Sequence, residues 1–354
     1  MSLFRANLVA LILFSSLMSI SSSPAQNKVW FINTRIQQGI EYDSNIEEAR
    51  DSIVSDGLMK LVLNSRAKYV KQKWLLQLTY HGGLQHYFAS PLENKLSHDC
   101  HIGVNYLQSR KIVVGGSYRA RLKTYFRRNW DHLWTDYETF MTFLLAQYQL
   151  SIFYAGEEFN YLNYDQFDFG VSKLRVLLQR NIGDNFSLQL KACQQRIDFT
   201  RRMLIYDAIS DNIFIADEKQ KDNNRFIAVQ WTYQKKWLAS LEYLFQHNSS
   251  NSYGFSYQFF RTTFSAAVPL SQSAMLRMFA GAQRKKYAQP LNKLITTDLD
   301  SEREMGNFLI FDLSKELTPS VSILFRYSYF YNESPIPGRY FEKQLSSCSL
   351  EYRF

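Results

Sequence analysis

The densest group of side chains that could do chemistry lies between His81 and His101. His98, Asp99, Cys100 and His101 are consecutive. Alternate side chains of a β-strand point to opposite faces, so Asp99 and His101 share one face while His98 and Cys100 share the other. His81, on the preceding predicted strand, would join Asp99 and His101, and these groups could bind a metal or titrate near neutral pH. The simpler interpretation is a hydrogen-bonded patch on a polar wall, and we predict no metal site.

Other catalytic and cofactor signals are absent from the sequence. No serine is placed to complete a triad with these histidines, and no zinc-ligand spacing, glycine-rich phosphate loop or nucleic-acid-binding motif occurs. We therefore predict no enzyme activity, no catalytic residue, no cofactor and no nucleic-acid partner.

Positive charge is the second chemical feature. Lys and Arg number 41 against 32 Asp and Glu, and Arg119, Arg121 and Lys123 form a ladder on one face of a strand with no acid among them. Like charges in a row imply water, counter-ions or an anionic ligand between the walls. The alternative is that acids on neighbouring strands neutralise the ladder. The predicted pore-lining residues are Arg119, Arg121, Lys123, Lys173, Arg175, Arg261, Arg277 and Arg326.

The elements that would position these side chains are β-strands. Apolar and polar residues alternate in about sixteen segments from Val29 to Phe354, most of them 11–15 residues long, whereas windows of helical periodicity are nearly absent. Aromatic residues make up 16% of the chain and cluster near segment ends. A tilted strand crosses a bilayer in about 9–11 residues. The pattern predicts an all-β transmembrane antiparallel barrel.

The connections between segments support this architecture. Short and long connections alternate, which is typical of barrels with short periplasmic turns and longer extracellular loops. The rival architecture, a soluble β-sandwich, gives no reason for that asymmetry. The longest predicted loop, 199–224, could fold inward to constrict a pore or project outward as a surface-binding hairpin, because Leu204 to Ala216 is apolar.

The N-terminus predicts export. Arg5 precedes an apolar run from Leu8 to Ile20, and Ser23 and Ala25 suit a cleavage site, so residues 1–25 are predicted to be a cleaved signal peptide. The alternative, a membrane anchor, would need a longer apolar run. Residues 26–354 then form one barrel domain. The 3 cysteines are scattered and predict no disulfide framework.

Two short motifs resemble known barrels. The C-terminal residues Leu350, Tyr352 and Phe354 resemble the β-signal of Gram-negative outer-membrane barrels, which implies a bacterial outer-membrane location and recognition by the barrel-assembly machinery. The run from Glu41 to Asn45 is similar to the first-strand exit of several poorly characterised barrels, including those of surface-lipoprotein assembly modifiers. Those proteins carry tetratricopeptide repeats before the barrel, and this sequence does not.

These observations together predict an outer-membrane barrel of about 16 strands that forms a water-filled, porin-like channel for small anionic solutes. A barrel of this size encloses more space than side chains fill. The alternatives are a role in exporting or assembling a surface polysaccharide or protein, a closed structural barrel and a barrel enzyme. The expected partners are outer-membrane lipid, lipopolysaccharide, the assembly machinery and small anions.

Overall fold

The computed structural model describes residues 30–49, 52–289, 306–332 and 341–354, and the predicted signal peptide lies outside these residues. The described chain forms a closed barrel of 16 antiparallel strands, each hydrogen-bonded to its neighbours in sequence order. The predicted architecture is therefore confirmed. The strands are β1 (Trp30–Asp43), β2 (Asp56–Lys71), β3 (Trp74–Tyr87), β4 (Lys95–Ser109), β5 (Ile112–Tyr125), β6 (His132–Leu145), β7 (Tyr148–Tyr161), β8 (Phe169–Ile182), β9 (Phe186–Asp207), β10 (Asn212–Gln234), β11 (Leu238–Ser250), β12 (Tyr257–Pro269), β13 (Ala274–Tyr287), β14 (Asn307–Thr318), β15 (Val321–Asn332) and β16 (Phe341–Arg353).

The barrel closes between the first and last strands. Strand β1 pairs with β2 on one side and with β16 on the other, where Ile36 lies opposite Tyr352 and Gln38 opposite Leu350. Closure satisfies the backbone N–H and C=O groups of both terminal strands, so no open sheet edge remains between them.

The two faces of the wall differ in chemistry. Side chains such as Ile40, Leu61 and Tyr118 point outward and are exposed, although they are large and apolar. The alternate residues point inward and include most charged groups of the strands. An exposed apolar exterior around a polar interior is the pattern of a barrel surrounded by lipid.

Short turns join the strands at one end, which we call the turn end. Gln72 and Ala146 take left-handed backbone angles in two of these turns, and Gly183 does so in a third. Tight hairpin turns require such angles, which glycine adopts without steric cost. Aromatic pairs also lie at the turn end, where Trp30 contacts Tyr69 and Trp74 contacts Tyr106, with ring centroids 4.9 and 4.6 Å apart.

The opposite end, which we call the loop end, carries the longer connections. Two of them contain a single 3-10 turn, at Pro91–Glu93 and Asp165–Phe167. Within the described ranges, no helix is long and apolar enough to span a membrane.

The longest predicted loop forms a β-hairpin. Strand β9 ends at Asp207 and strand β10 begins at Asn212, so both extend well past the neighbouring strands. The register between them shifts between Ile215 and Lys221. The tip residue Ile209 is 97% exposed. Of the two arrangements open from sequence, the projecting hairpin is the one observed.

Candidate functional site

The ladder on β5 lies on the inner wall. Two of its members, Arg119 and Arg121, bind the same acid. Strand register places Asp99 of β4 opposite Arg121. The Arg119 guanidinium donates to both Asp99 carboxylate oxygens, through Nε at 2.7 Å and Nη2 at 2.5 Å. Arg121 donates to Asp99 Oδ2 through Nε at 3.1 Å and Nη2 at 3.0 Å. On the other side of β5, Asp136 of β6 lies opposite Arg119 in the register. Acids on both neighbouring strands therefore offset part of the charge of the ladder.

Aromatic rings support the same ladder. The guanidinium carbons of Arg119 and Arg121 lie 5.4 and 5.0 Å from the ring centroid of Trp134 on β6. Lys123 Nζ lies 5.3 Å from the ring of Tyr125. A cation over an aromatic face is stabilised by the ring quadrupole, so the rings help to hold these charges in place.

Further ion pairs continue around the inner wall. Lys173 pairs with Glu157 and Arg175 with Glu138, while Lys191 Nζ lies 2.7 Å from Glu242 Oε2. On β13 to β15, Arg277 and Arg326 both pair with the buried carboxylate of Asp312, at 3.6 and 2.5 Å. Many basic residues of the inner wall are therefore paired with acids.

Some inward basic residues remain without an acid. In the described part of the chain, Arg66, Lys68 and Arg261 form no ion pair and donate no side-chain hydrogen bond, and the buried Arg261 Nε is unpartnered. These three side chains carry positive charge that no ion pair of the described chain neutralises.

The histidine cluster expected from sequence does not assemble as a metal centre. His81 lies opposite Asp99, and His101 lies one pair further along the same face. However, His81 Nδ1 contacts Asn64, and Asp99 is held by Arg119 and Arg121. Among the described residues, no group of three or more His, Cys, Asp or Glu side chains could hold a metal ion.

At the loop end, the connection between β1 and β2 is described over residues 44–49 and 52–55; we call residues 44–49 the first loop. Its Ile46 packs against Leu58 and Tyr87, which are inward-facing and buried. Asn45 fixes the loop by donating to the backbone oxygens of Ala49 and Glu342. The first loop therefore lies against the inside of the wall.

Ion pairs from two sides tether the first loop. Arg128, between β5 and β6, pairs with Glu93 at 2.7 Å and with Glu47 at 3.9 Å. Lys343 of β16 pairs with Asp43 at 3.1 Å and with Glu48 at 3.3 Å. Sequence reasoning had placed a possible constriction in 199–224. The connection between β1 and β2 contains the apolar residues Ile46, Ile53 and Val54. Ile46 is buried whereas Ile53 and Val54 are exposed, so no sequence signal singled out Ile46.

The predicted assembly signal occupies the final strand. Leu350, Tyr352 and Phe354 share the outward face, and all three are exposed. The Phe354 N–H donates to the Thr34 backbone oxygen of β1 at 2.9 Å, so the last residue takes part in closing the barrel.

Comparisons with known proteins give similarity in fold only. No family model matches the chain, and no curated protein matches it in sequence. The similarity to barrels of surface-lipoprotein assembly modifiers thus stays a prediction.

The solved structures similar to this chain include OmpT of Vibrio cholerae, expressed in the outer membrane, with 9% identity, a TM-score of 0.49 and coverage of 94% of this chain and 100% of that one. OccAB3 of Acinetobacter baumannii has 9% identity and a TM-score of 0.47, covering 91% of this chain and 98% of its own. The toluene transporter TbuX of Ralstonia pickettii has 9% identity and a TM-score of 0.39, covering 91% and 90%. At such identities no activity is transferred to this chain.

Proposed function

We propose that this protein is an outer-membrane barrel forming a water-filled channel for small solutes. The observation that carries the proposal is the contrast between the two faces of the closed wall. Inward-facing charges such as Arg119, Lys173 and Glu242 need water or counter-ions around them, because isolated charges in an apolar medium are very costly. Outward-facing apolar side chains need lipid. A bilayer on one side and water on the other satisfies both requirements.

The channel is narrowest at the loop end under this proposal. The first loop lies inside the wall and is held by Arg128 and Lys343. A solute would pass beside this loop before reaching the ladder of Arg119, Arg121 and Lys123. The size of the mouth would then decide which solutes can enter, and the charge of the wall would decide which ions are preferred.

The preferred solutes are anions. Arg66, Lys68 and Arg261 carry positive charge that forms no ion pair within the described chain. Fixed charges in a low-dielectric wall focus their field into the lumen and raise the local concentration of counter-ions. Because ion pairs neutralise many of the inner-wall charges, the preference for anions should be moderate.

Placement in the outer membrane rests on the apolar exterior and on the C-terminal motif. Leu350, Tyr352 and Phe354 are presented on one face of β16, where an assembly machine could read them. Lipid and lipopolysaccharide would then surround the barrel. No chemical step is assigned to any residue of the channel.

A second function is favoured by the β9–β10 hairpin. Its tip exposes Ile205, Ile209, Phe214 and Ile215 beyond the neighbouring strands. Exposed apolar groups of this kind mark interaction sites. A surface polysaccharide or protein under export or assembly could be bound there, without enzymatic chemistry.

The charge of the wall provides the test of the anion channel. Asp99→Asn keeps the shape of the side chain and releases the charge of Arg119 and Arg121, so the reversal potential in a KCl gradient should move further toward anion selectivity. The shift should shrink at high salt, because the Debye length falls from about 10 Å at 0.1 M to about 3 Å at 1 M. Asp217→Asn, an exposed substitution on the hairpin, is the control. An Asp99→Asn protein with wild-type selectivity at low salt would contradict the proposal.

A further inference from the structure

A group of buried polar side chains lies at the loop end beneath the β9–β10 hairpin. Asp222 and Asn224 of β10 and Asn248 of β11 are 5%, 2% and 1% exposed. Asn224 and Asn248 lie directly opposite each other in the register, and Asp222 is two residues from Asn224 on the same face. Directly opposed residues have Cβ atoms about 4.5–5.5 Å apart. The three side chains therefore form one cluster.

The charge of Asp222 is not compensated by a cationic partner. Its Oδ1 accepts from Gln220 Nε2 at 3.0 Å and its Oδ2 accepts from Asn248 Nδ2 at 2.9 Å, and both donors are neutral amides. No Lys, Arg or His of the described chain forms an ion pair with it. Burial of a carboxylate is costly unless a cation offsets it.

Two buried amide oxygens in the same cluster also lack partners. Asn248 Nδ2 donates to Asp222 and to the Phe255 backbone oxygen at 2.8 Å, which fixes the orientation of the amide and leaves Oδ1 without a donor. Asn224 Oδ1 is likewise buried and unpartnered. Buried acceptors are rarely left in this state. A water molecule would satisfy the amides but would give the carboxylate no direct cationic partner.

We propose that Asp222, Asn224 and Asn248 form a binding site for a calcium ion. Carboxylate and amide oxygens are ligands that this hard cation prefers, and it tolerates irregular geometry better than magnesium does. With one carboxylate, the affinity should be in the range of extracellular calcium modules, about 10⁻⁴–10⁻³ M.

The nearest positive groups set a limit on the affinity. Arg201 donates to Gln220 Oε1 at 2.9 Å, so one amide separates its charge from Asp222. Lys285 lies over the ring of Tyr257, which is opposite Asn248 in the register. Both charges repel a cation, which is consistent with weak binding.

Bound calcium would connect β10 and β11 where the hairpin leaves the barrel. Leu204 and Ser252 already join the hairpin to the neighbouring loop, through the Leu204 N–H to Ser252 Oγ bond of 2.9 Å. The site would add a link that depends on the calcium concentration outside the cell.

The test is calorimetric titration with calcium chloride of the full chain, refolded in detergent without lipopolysaccharide and freed of metal by a chelator. Wild type should bind one calcium ion. Asp222→Asn should weaken binding at least tenfold, whereas Asn224→Asp, which adds a carboxylate at a ligand position, should tighten it severalfold. Asp217→Asn on the same hairpin should leave the affinity within about twofold.

Folding of each variant is checked by heat-modifiable migration. If the Asp222→Asn protein does not fold, the calcium affinity of the Asn224→Asp protein alone decides whether the proposal holds. Absence of saturable calcium binding by wild type, an unchanged affinity in Asn224→Asp, or tighter binding of magnesium than of calcium would each overturn the proposal.

Discussion

Asp207 holds the tip of the β9–β10 hairpin. Its carboxylate accepts from Ser210 Oγ at 2.7 Å and from the backbone N–H of Ile209 at 3.0 Å. These hydrogen bonds, that of Ser210 first, lower the pKa of Asp207 below its ordinary value. Because the pKa is lowered in the folded state, the contribution to stability is complete above the unfolded pKa of about 3.9 and is lost as the pH falls through the folded pKa.

The first prediction concerns that carboxylate. Ser210→Ala removes the strongest donor, so the pKa of Asp207 should rise toward its ordinary value. The measurement is an NMR titration of the Asp207 carboxyl carbon in both proteins. An unchanged Asp207 titration would show that Ser210 does not hold the tip.

Single residues were partly predictable from sequence. Alternation correctly placed Arg119, Arg121 and Lys123 on one face, since strand geometry alone decides this. It could not show that Asp99 would meet both arginines, because that contact depends on the register between two strands. Asp136, opposite Arg119, was missed for the same reason.

At the scale of elements, β2 offers a direct test of the two faces. Leu61 points outward and is exposed, while Val62 points inward between the neutral Gln37 and Gly83. Leu61→Arg should destabilise the folded barrel by roughly 2–4 kcal/mol if the position lies near the bilayer midplane, whereas Val62→Arg should be tolerated. Unfolding in denaturant, with the protein in lipid vesicles, measures the difference. Equal destabilisation by both substitutions would mean that the wall has an apolar core on each side.

The connecting elements were less predictable than the strands. The hairpin between 199 and 224 could be recognised as apolar, but its direction depends on contacts such as the stacking of Tyr206 on Tyr253, with centroids 5.1 Å apart. The inward position of the first loop depends on Leu58 and Tyr87, which lie on two different strands. Neither contact is encoded in a local pattern.

The overall architecture was more predictable from the sequence than single contacts or connecting loops. Alternation repeated over many segments predicts a sheet, and closure follows because an open edge within lipid would leave backbone groups unsatisfied. The strand number and the long connections at one end are both seen in the barrel. Function was less predictable, because many activities share one fold.

The conductance of purified protein in a planar bilayer tests the central claim of an open channel narrowed by the first loop. Wild type should give stepwise, ohmic conductance. Arg128→Glu combined with Lys343→Glu places like charges beside Glu93 and Asp43, which should release the loop and increase the step size. Arg202→Glu, which breaks only the 3.4 Å hairpin pair with Asp217, should leave the steps unchanged. A wild-type protein that inserts but conducts no ions, with no steps in the double variant either, would contradict the account.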